Sequence, residues 1–503
     1  MADLEWAGKN AVAGCYNRLP FKLIECDENS ENIKSRNLLI YGDNLIGLKS
    51  LLPIYQNGIK CIYIDPPYNT GNNDWAYNDN MDNPIINQWI NETIVNDERM
   101  EQSYYKTVSR DDLNRHDKWL CMMYPRLELL QKLLCEDGII FISIDDNEQA
   151  NLKIILDEIF GQRNFIAKLI WLPKSVTDNQ LEIKIEHEYV YVYCKNIDKK
   201  SEAISNVISP NISKSSSIFN ETIENSVVKN GKGNPASEIT LPVGFPAEIN
   251  KMILDKIELT DEFYDELKKT KWISQDQKKK YKIKKFPIAK DKIIVKNKKL
   301  TRTVRMLTGW QNLNKLKKFI NNNCKPLEDN NNMEFFLTKN GDIKYKKERK
   351  KGEARLISSI ISDVGNTTSA KSELKKLGID FDYPKPVELV KFLIKVGSKD
   401  GDIILDSFAG SGTTGQAVIE LNNDCNGNRK FILIEIDEKI AKDKIKKRLE
   451  KLNEYNETGF SYCKVGNTIF DEYGLISKEC TINDLAKYIY FLEEKKPLEA
   501  MRN

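Results

Sequence analysis

Asp65, Pro66, Pro67 and Tyr68 end a short apolar run in the stretch "CIYIDPPYNT" (61–70). The run, Cys61-Ile62-Tyr63-Ile64, reads as a strand buried on both faces. What stops it is a carboxylate, a rigid corner and a ring. Proline fixes φ and has no N–H to donate, so a Pro-Pro corner presents backbone carbonyls that only accept. With Asp65 it forms two acceptors in fixed geometry, whose natural partner is an exocyclic –NH2 with two hydrogens. Tyr68 adds a stacking face for a flat ring, worth roughly 1–3 kcal/mol per base. Such a stretch suits an aminated heterocycle, adenine or cytosine.

A second stretch, "LDSFAGSGTTGQAV" (405–418), follows a strand and opens a helix. Gly410, Gly412 and Gly415 form G-x-G-x-x-G, which permits a tight turn and close backbone approach to a ligand at a helix N-terminus. Glu435 ends the next strand, 20 residues beyond Gly415, where a carboxylate can accept both ribose hydroxyls of a nucleoside. A plain strand-to-helix turn is the competing reading. The ligand is NAD or S-adenosylmethionine, since both carry adenosine, and the first stretch decides between them.

An aryl amine is a poor nucleophile because its lone pair is delocalised into the ring. Acceptors on both N–H bonds draw the nitrogen toward a tetrahedral form with a localised pair. As that pair attacks a sulfonium methyl, positive charge develops facing Asp65 and the Pro66 carbonyl. Losing one such partner commonly costs roughly 3–4 kcal/mol of barrier. No metal is needed, and a base inside a duplex must be flipped out to reach the pocket. A hydride-transfer enzyme has no use for this arrangement. As an isolated tetrapeptide, Asp-Pro-Pro-Tyr is also an ordinary strand-ending turn.

Positioning these groups requires strands whose ends meet. "NLLIY" (37–41), "CIYI" (61–64), "GIIFISI" (138–144), "GDIILDSF" (401–408) and "KFILIEI" (430–436) read as strands, with helices expected over 111–135, 147–160, 412–422 and 437–455. This alternation predicts a parallel α/β sheet. "EHEYVYVYCK" (186–195) alternates and reads as one more strand. From about 196 to 350 the chain is rich in Lys, Asn, Ser and Ile, and residues 268–299 hold 14 Lys against two acids, Asp276 and Asp291. The expected organisation is an α/β domain built from both ends, 1–195 and 351–455, with an insert at 196–350 and a tail of short elements at 456–503.

Lys+Arg number 77 against Asp+Glu 74, a formal charge of +3, so the overall balance names no partner. Ten cysteines form no C-x-x-C pair, and there are two histidines, His116 and His187. This argues against a zinc site and for a reducing compartment. No run of about 18 apolar residues exists to span a membrane, and the expected location is the cytoplasm.

"YIDPPYNTGN" together with "LDSFAGSGTT" resembles the amino-methylating DNA methyltransferases of the β class, in which the amine motif precedes the glycine motif with a target-recognition region between. More narrowly, the chain resembles the modification (Mod) subunit of type III restriction-modification systems. The similarity runs through "YGDNLIGLKSLLP" (41–53), "YNDN" (77–80), "HDKWLCMMYPRLELL" (116–130), "HEYVYVYCKN" (187–196), "DVGNTTSAKSELKKLG" (363–378) and "FDYPKPVELVKFLI" (381–394). It implies a Rossmann-like S-adenosylmethionine-dependent methyltransferase sheet with an inserted target-recognition domain. Asp65, Pro66, Pro67 and Tyr68 match the adenine-N6 motif. Phe408, Ala409, Gly410, Ser411, Gly412 and Thr413 match the cofactor loop, fed by Asp406. Glu435 matches the ribose acid, Asp43 an acid near the cofactor's adenine, and Lys385 a position at the methionine end. "YPKP" also reads simply as a helix start. A structural role is preferred for His187.

The resemblance makes the insert the region that reads double-stranded DNA. Its Lys run, including Lys278, Lys279 and Lys280, with Trp272, Tyr281 and Phe286 nearby, suits phosphate contact with some stacking. A solvated surface of a Lys-rich protein is the plainer reading. Arg302 and Arg305 are candidates for base or phosphate contact. The resemblance also implies a homodimer and a helicase-nuclease restriction partner. The tail resembles a family segment beyond which members usually run on, so contacts of their C-terminal part are not implied. The rival readings are cytosine N4 as target, a DNA-binding specificity module for a nuclease, and an RNA or free-nucleotide methyltransferase. Asp rather than Ser before Pro-Pro-Tyr favours adenine.

Overall fold

The computed structural model describes residues 4–26, 36–70, 115–173, 185–205, 207–212, 222–348, 357–453, 459–471 and 473–494. "YNDN" (77–80), residues 111–114 of the expected helix and the last nine residues of the tail lie outside these. The chain divides into two compact units, 1–212 with 355–503, and 213–354.

The first unit is built on a ten-stranded sheet. Its strands are β1 (Phe21–Cys26), β2 (Leu38–Tyr41), β3 (Ile59–Ile64), β4 (Leu134–Ile144), β5 (Phe165–Trp171), β6 (Glu188–Cys194), β7 (Ile360–Ile361), β8 (Ile403–Asp406), β9 (Lys430–Glu435) and β10 (Ser461–Phe470). They lie in the order β1-β10-β2-β9-β8-β3-β4-β6-β5-β7. The six strands from β10 to β4 run parallel. β1 and β6 run against them, so the sheet is mixed rather than purely parallel.

Side chains of the central strands alternate between two cores, as period-2 geometry requires. Leu38, Ile40, Ile62, Ile64, Ile140, Ile142, Leu405, Ile432 and Ile434 face one core, with α1 (Asn44–Tyr55) and α2 (Arg115–Leu133). Leu39, Cys61, Tyr63, Ile139, Phe141, Ile404, Phe431 and Leu433 face the other, with α3 (Val387–Gly397), α4 (Thr413–Cys425) and α5 (Lys447–Asn453). Strands buried on both faces have no polar side to offer. This is why they read as unbroken apolar runs.

Two expectations need correction. Residues 461–470 of the expected tail are part of the domain, because β10 inserts between β1 and β2. Cys26 and Cys463 are direct partners in the β1–β10 register and form a disulfide. The cysteine pattern was read as that of a reducing compartment and named no pair; the two stand 437 residues apart, and only the pairing of first and last strands brings them together.

The second unit holds three small three-stranded antiparallel sheets around a core that includes Phe245, Phe319, Phe335, Leu300 and Met306. Among them, Ala236–Leu241 pairs with Val304–Gly309, and Lys251–Leu254 with Ile293–Lys296. The weak periodicity of this stretch reflects short strands and many turns. No helix among the described residues is long and apolar enough to cross a membrane.

Candidate active site

β3 and β8 are neighbours in the sheet, with Leu405 opposite Ile62. The segments that follow them must therefore emerge side by side at one edge. Asp65–Tyr68 leaves β3 and the glycine loop leaves β8. A single pocket is lined by Asp65, Pro66, Pro67 and Tyr68 on one side and by Asp406, Phe408, Ala409, Gly410, Ser411 and Thr413 on the other. Open α/β sheets place ligands at this carboxyl edge.

The Pro-Pro corner is anchored from below. Trp119 of α2 donates its indole N–H to the Pro67 carbonyl at 2.7 Å. The Pro66 carbonyl accepts no hydrogen bond among the described residues and stays available as an acceptor. Next in the chain, Asn69 holds a left-handed φ of 60° and donates to the fully buried Glu148.

Asp65 is not alone. The Tyr68 hydroxyl lies 2.9 Å from Asp65 Oδ1 and 2.9 Å from Glu188 Oε2. Lys385 Nζ lies 3.1 Å from Asp65 Oδ1 and 3.0 Å from Glu188 Oε2. The same ammonium stands 4.7 Å from the centroid of the Tyr68 ring. Burial pushes the Asp65 carboxyl above its ordinary value, against the pull of Lys385. Burial lowers Lys385, but the two carboxylates outweigh it and hold the ammonium charged.

The glycine loop is braced from behind. Gly410 and Gly412 hold positive φ, 54° and 78°, conformations that glycine adopts without penalty. Gly412 caps α4. Glu435 is fully buried; its carboxylate accepts the Gly410 N–H at 2.8 Å and the Asp437 N–H at 3.1 Å. It holds the loop from beneath and does not line the pocket. Asp406 accepts from Phe408 N at 3.0 Å and from Thr414 Oγ1 at 2.5 Å, and burial raises its pKa to about 7. Arg448 of α5 donates to the Ser411 carbonyl at 2.8 Å and to Gln416 Oε1 at 2.7 Å.

Other expected site residues are placed elsewhere. Asp43 caps α1 through Ile46 N at 3.0 Å, and its other oxygen lies 3.6 Å from Arg126. It does not line the pocket. Pro386 is the N-cap of α3, so "YPKP" does start a helix while Lys385, just before it, reaches Asp65. His187 bonds the Tyr189 hydroxyl at 2.7 Å. In the second unit, Arg305 is held by Asp291 through two bonds of 2.9 Å, and Lys280 pairs with Glu266. Tyr281 and Phe286 are partly buried and pack against the small core of Phe263, Ile273 and Ile288. Lys278, Lys279 and Arg302 form no ion pair among the described residues.

Glu188, Trp119, Arg126 and Arg448 escaped the sequence reading. Glu188 carried a signal. It shares a strand face with the buried Val190 and Val192, and a charge in that register needs a buried partner. The others are long side chains on helices, whose targets depend on tertiary placement.

No group of three or more His, Cys, Asp or Glu among the described residues could hold a metal ion. Comparison with known proteins supplies a family. A family model for DNA methylases (N6_N4_Mtase) matches residues 59–447. The chain is 35% identical over 460 residues to the Mod subunit of the type III restriction-modification enzyme EcoPI of Escherichia phage P1. It is 33% identical over 453 residues to the EcoP15I Mod subunit of Escherichia coli. Each match covers 88% of this chain, which spans 64% and 65% of the length of those relatives. Among solved structures, the cytosine-N4-specific PvuII DNA methyltransferase aligns over 91% of this chain and 93% of its own, at 11% identity and a TM-score of 0.34.

Proposed function

The chain belongs to the DNA methylase family, and from that premise we propose that it transfers a methyl group from S-adenosylmethionine to N6 of a flipped-out adenine in double-stranded DNA. Its further role in this reading is the modification subunit of a type III restriction-modification system, acting as a homodimer with a helicase-nuclease partner. The Mod-subunit relatives support that assignment. Residues 213–354 serve as the target-recognition region.

The observation that carries the reading is the shared sheet edge. An acceptor set for an aryl amine and a glycine loop for a nucleoside cofactor line one pocket. The chemistry of that pocket fits S-adenosylmethionine. Phe381, Phe408 and Ala409 supply an apolar wall, and Asp406 and Asp65 carboxyl groups that would suit a positively charged cofactor. When bound, the cofactor supplies an electrophilic methyl group on a positively charged sulfur.

The residues divide the remaining work. Asp65 and the Pro66 carbonyl accept the two N–H bonds of adenine N6, and Tyr68 stacks on the base. Methyl transfer would leave positive charge on the amine nitrogen. Asp65 faces that charge, and its raised pKa suits it to take the surplus proton from nitrogen.

The test is incubation with S-adenosylmethionine and unmethylated genomic DNA, digestion to nucleosides and mass spectrometry, with Asp65→Ala in parallel. N6-methyladenine that disappears with the variant supports the reading. N4-methylcytosine keeps the mechanism and overturns the base. DNA binding without any methylated base favours a specificity module.

A further inference from the structure

Glu188 has no part in the reaction as described, yet it makes the same two contacts as Asp65. Both carboxylates hold Lys385 Nζ, at 3.0 and 3.1 Å, and both lie 2.9 Å from the Tyr68 hydroxyl. A phenol has one proton and donates it to one carboxylate at a time, whereas an ammonium has three and can serve both. The arrangement therefore has two acceptors competing for one donor and sharing another.

The position of Lys385 matters for the same reason. Its ammonium rests on Asp65 and over the Tyr68 ring, 4.7 Å from the centroid. Those are the contacts that a target amine on a stacked base requires. Lys385 and the target amine thus compete for Asp65. With its side chain only 11% exposed, Lys385 has little water to retreat to, and an ammonium that lost its anion there would be costly.

We propose that Glu188 is a positioning residue that keeps Lys385 when the target amine claims Asp65. Two contacts are exchanged, Asp65 Oδ1 and the face of the Tyr68 ring. Lys385 gives up Asp65 Oδ1 and retains Glu188 Oε2, while the Tyr68 proton turns toward the carboxylate left with fewer donors. Two carboxylates against one ammonium leave a net charge of −1 in this cluster. Asp145, on which Glu188 acts electrostatically, and Asp406, on which Asp65 acts, lie within reach of this cluster and add to the negative potential as they ionise. That potential favours the positive charge that develops on nitrogen during transfer. Trp171 is fully buried, with Lys385 Nζ 5.7 Å from its ring.

This inference rests on the methyl-transfer reading, and a double-mutant cycle in the full chain separates the two. Glu188→Gln alone leaves Lys385 on Asp65 with no second anion; kcat falls roughly tenfold, while KM for S-adenosylmethionine stays within about twofold. Lys385→Met alone leaves two carboxylates facing each other with no cation. One of them takes a proton, Asp65 weakens as an acceptor, and kcat falls further. Glu188→Gln added to Lys385→Met removes the like charge, and kcat recovers at least about threefold over Lys385→Met.

That reversal of sign is what a merely structural Glu188 does not produce. An equal loss from Glu188→Gln in both backgrounds overturns the proposal and leaves the methylation reading standing. A native chain that methylates no base overturns both. Should Glu188→Gln not fold, as read from its melting curve, Glu188→Asp takes its place in the cycle: it retains the charge, stays within about threefold of native kcat under this proposal, and a tenfold loss that Lys385→Met does not relieve overturns it.

Discussion

A Cβ built on Gly412 would lie 2.8 Å from Cγ2 of Ile445, in the helical segment Ile440–Lys446 that leads into α5. The loop over the pocket and the helix behind it are that close, and Gly412 also holds φ at +78°. Two costs therefore add in Gly412→Ala: left-handed strain in a residue with a Cβ and overpacking against a buried isoleucine. The expected destabilisation is about 2–4 kcal/mol, with weakened S-adenosylmethionine binding. Gly410→Ala carries the strain alone, since its nearest contact would be Phe381 Cζ at 3.8 Å. Urea midpoints should rank native, Gly410→Ala, Gly412→Ala. The reverse order of the two variants would show that the loop moves freely away from Ile445.

Asp406 makes stability depend on pH in an uncommon direction. Burial, the largest cause, raises its pKa to about 7, while bonds from Thr414 and Phe408 oppose the rise. In the unfolded chain it titrates near ~3.9. Between roughly pH 4 and 7 the folded state binds more protons than the unfolded one, so this group's contribution falls as pH rises and levels off above 7. Asp406→Asn cannot ionise, and the Thr414 hydroxyl can turn to accept from its amide. Melting temperatures at pH 5 and pH 8 should fall more for the native chain than for the variant. Parallel shifts would assign the effect to other groups.

The legible part of the site is the part written in backbone chemistry. Prolines and glycines carry their conformations with them, so Asp65–Tyr68 and Gly410–Gly412 could be read and brought to one sheet edge by α/β logic. Glu435 was found as the acid ending a strand, but its geometry was not foreseeable. The loop folds back, and Gly410 N–H meets the carboxylate. Glu188 is not placed at the site by its own segment. β6 runs antiparallel to β4, so its first residue, not its last, reaches the carboxyl edge of the parallel strands. That reversal follows from strand pairing across distant segments, which local pattern does not contain. β10 escaped for the same reason: its partners lie over 400 residues earlier.

Arg302 and Arg305 are alike in sequence and unlike in surroundings. Arg305 donates to both oxygens of Asp291 at 2.9 Å, which holds the Asp291 carboxyl at about 2. Arg302 is exposed. If residues 213–354 contact phosphates, Arg302→Ala should reduce the slope of log K against log salt by about 0.9. Arg305→Ala should change it less, because its guanidinium is already neutralised. Fluorescence titrations of a labelled duplex between low and moderate salt would decide. Equal changes would mean that DNA displaces Asp291.

Trp119 provides the last test, because it acts on the reaction only through the backbone of Pro67. Its indole is fully buried and donates to the Pro67 carbonyl at 2.7 Å. Trp119→Phe keeps most of the apolar contact in the core but removes that donor. In the proposed reaction, the Pro-Pro corner then loses one of the constraints that would aim the Pro66 carbonyl at the target amine. A misplacement of about 1 Å can cost on the order of a hundredfold, and loss of one constraint among several should fall short of that, at roughly tenfold in kcat. The cofactor pocket wall is untouched, so KM for S-adenosylmethionine should hold. Steady-state kinetics with saturating DNA separate the two quantities. A rise in that KM with kcat unchanged would place Trp119 in support of the glycine loop, and would leave the corner stiff enough without it.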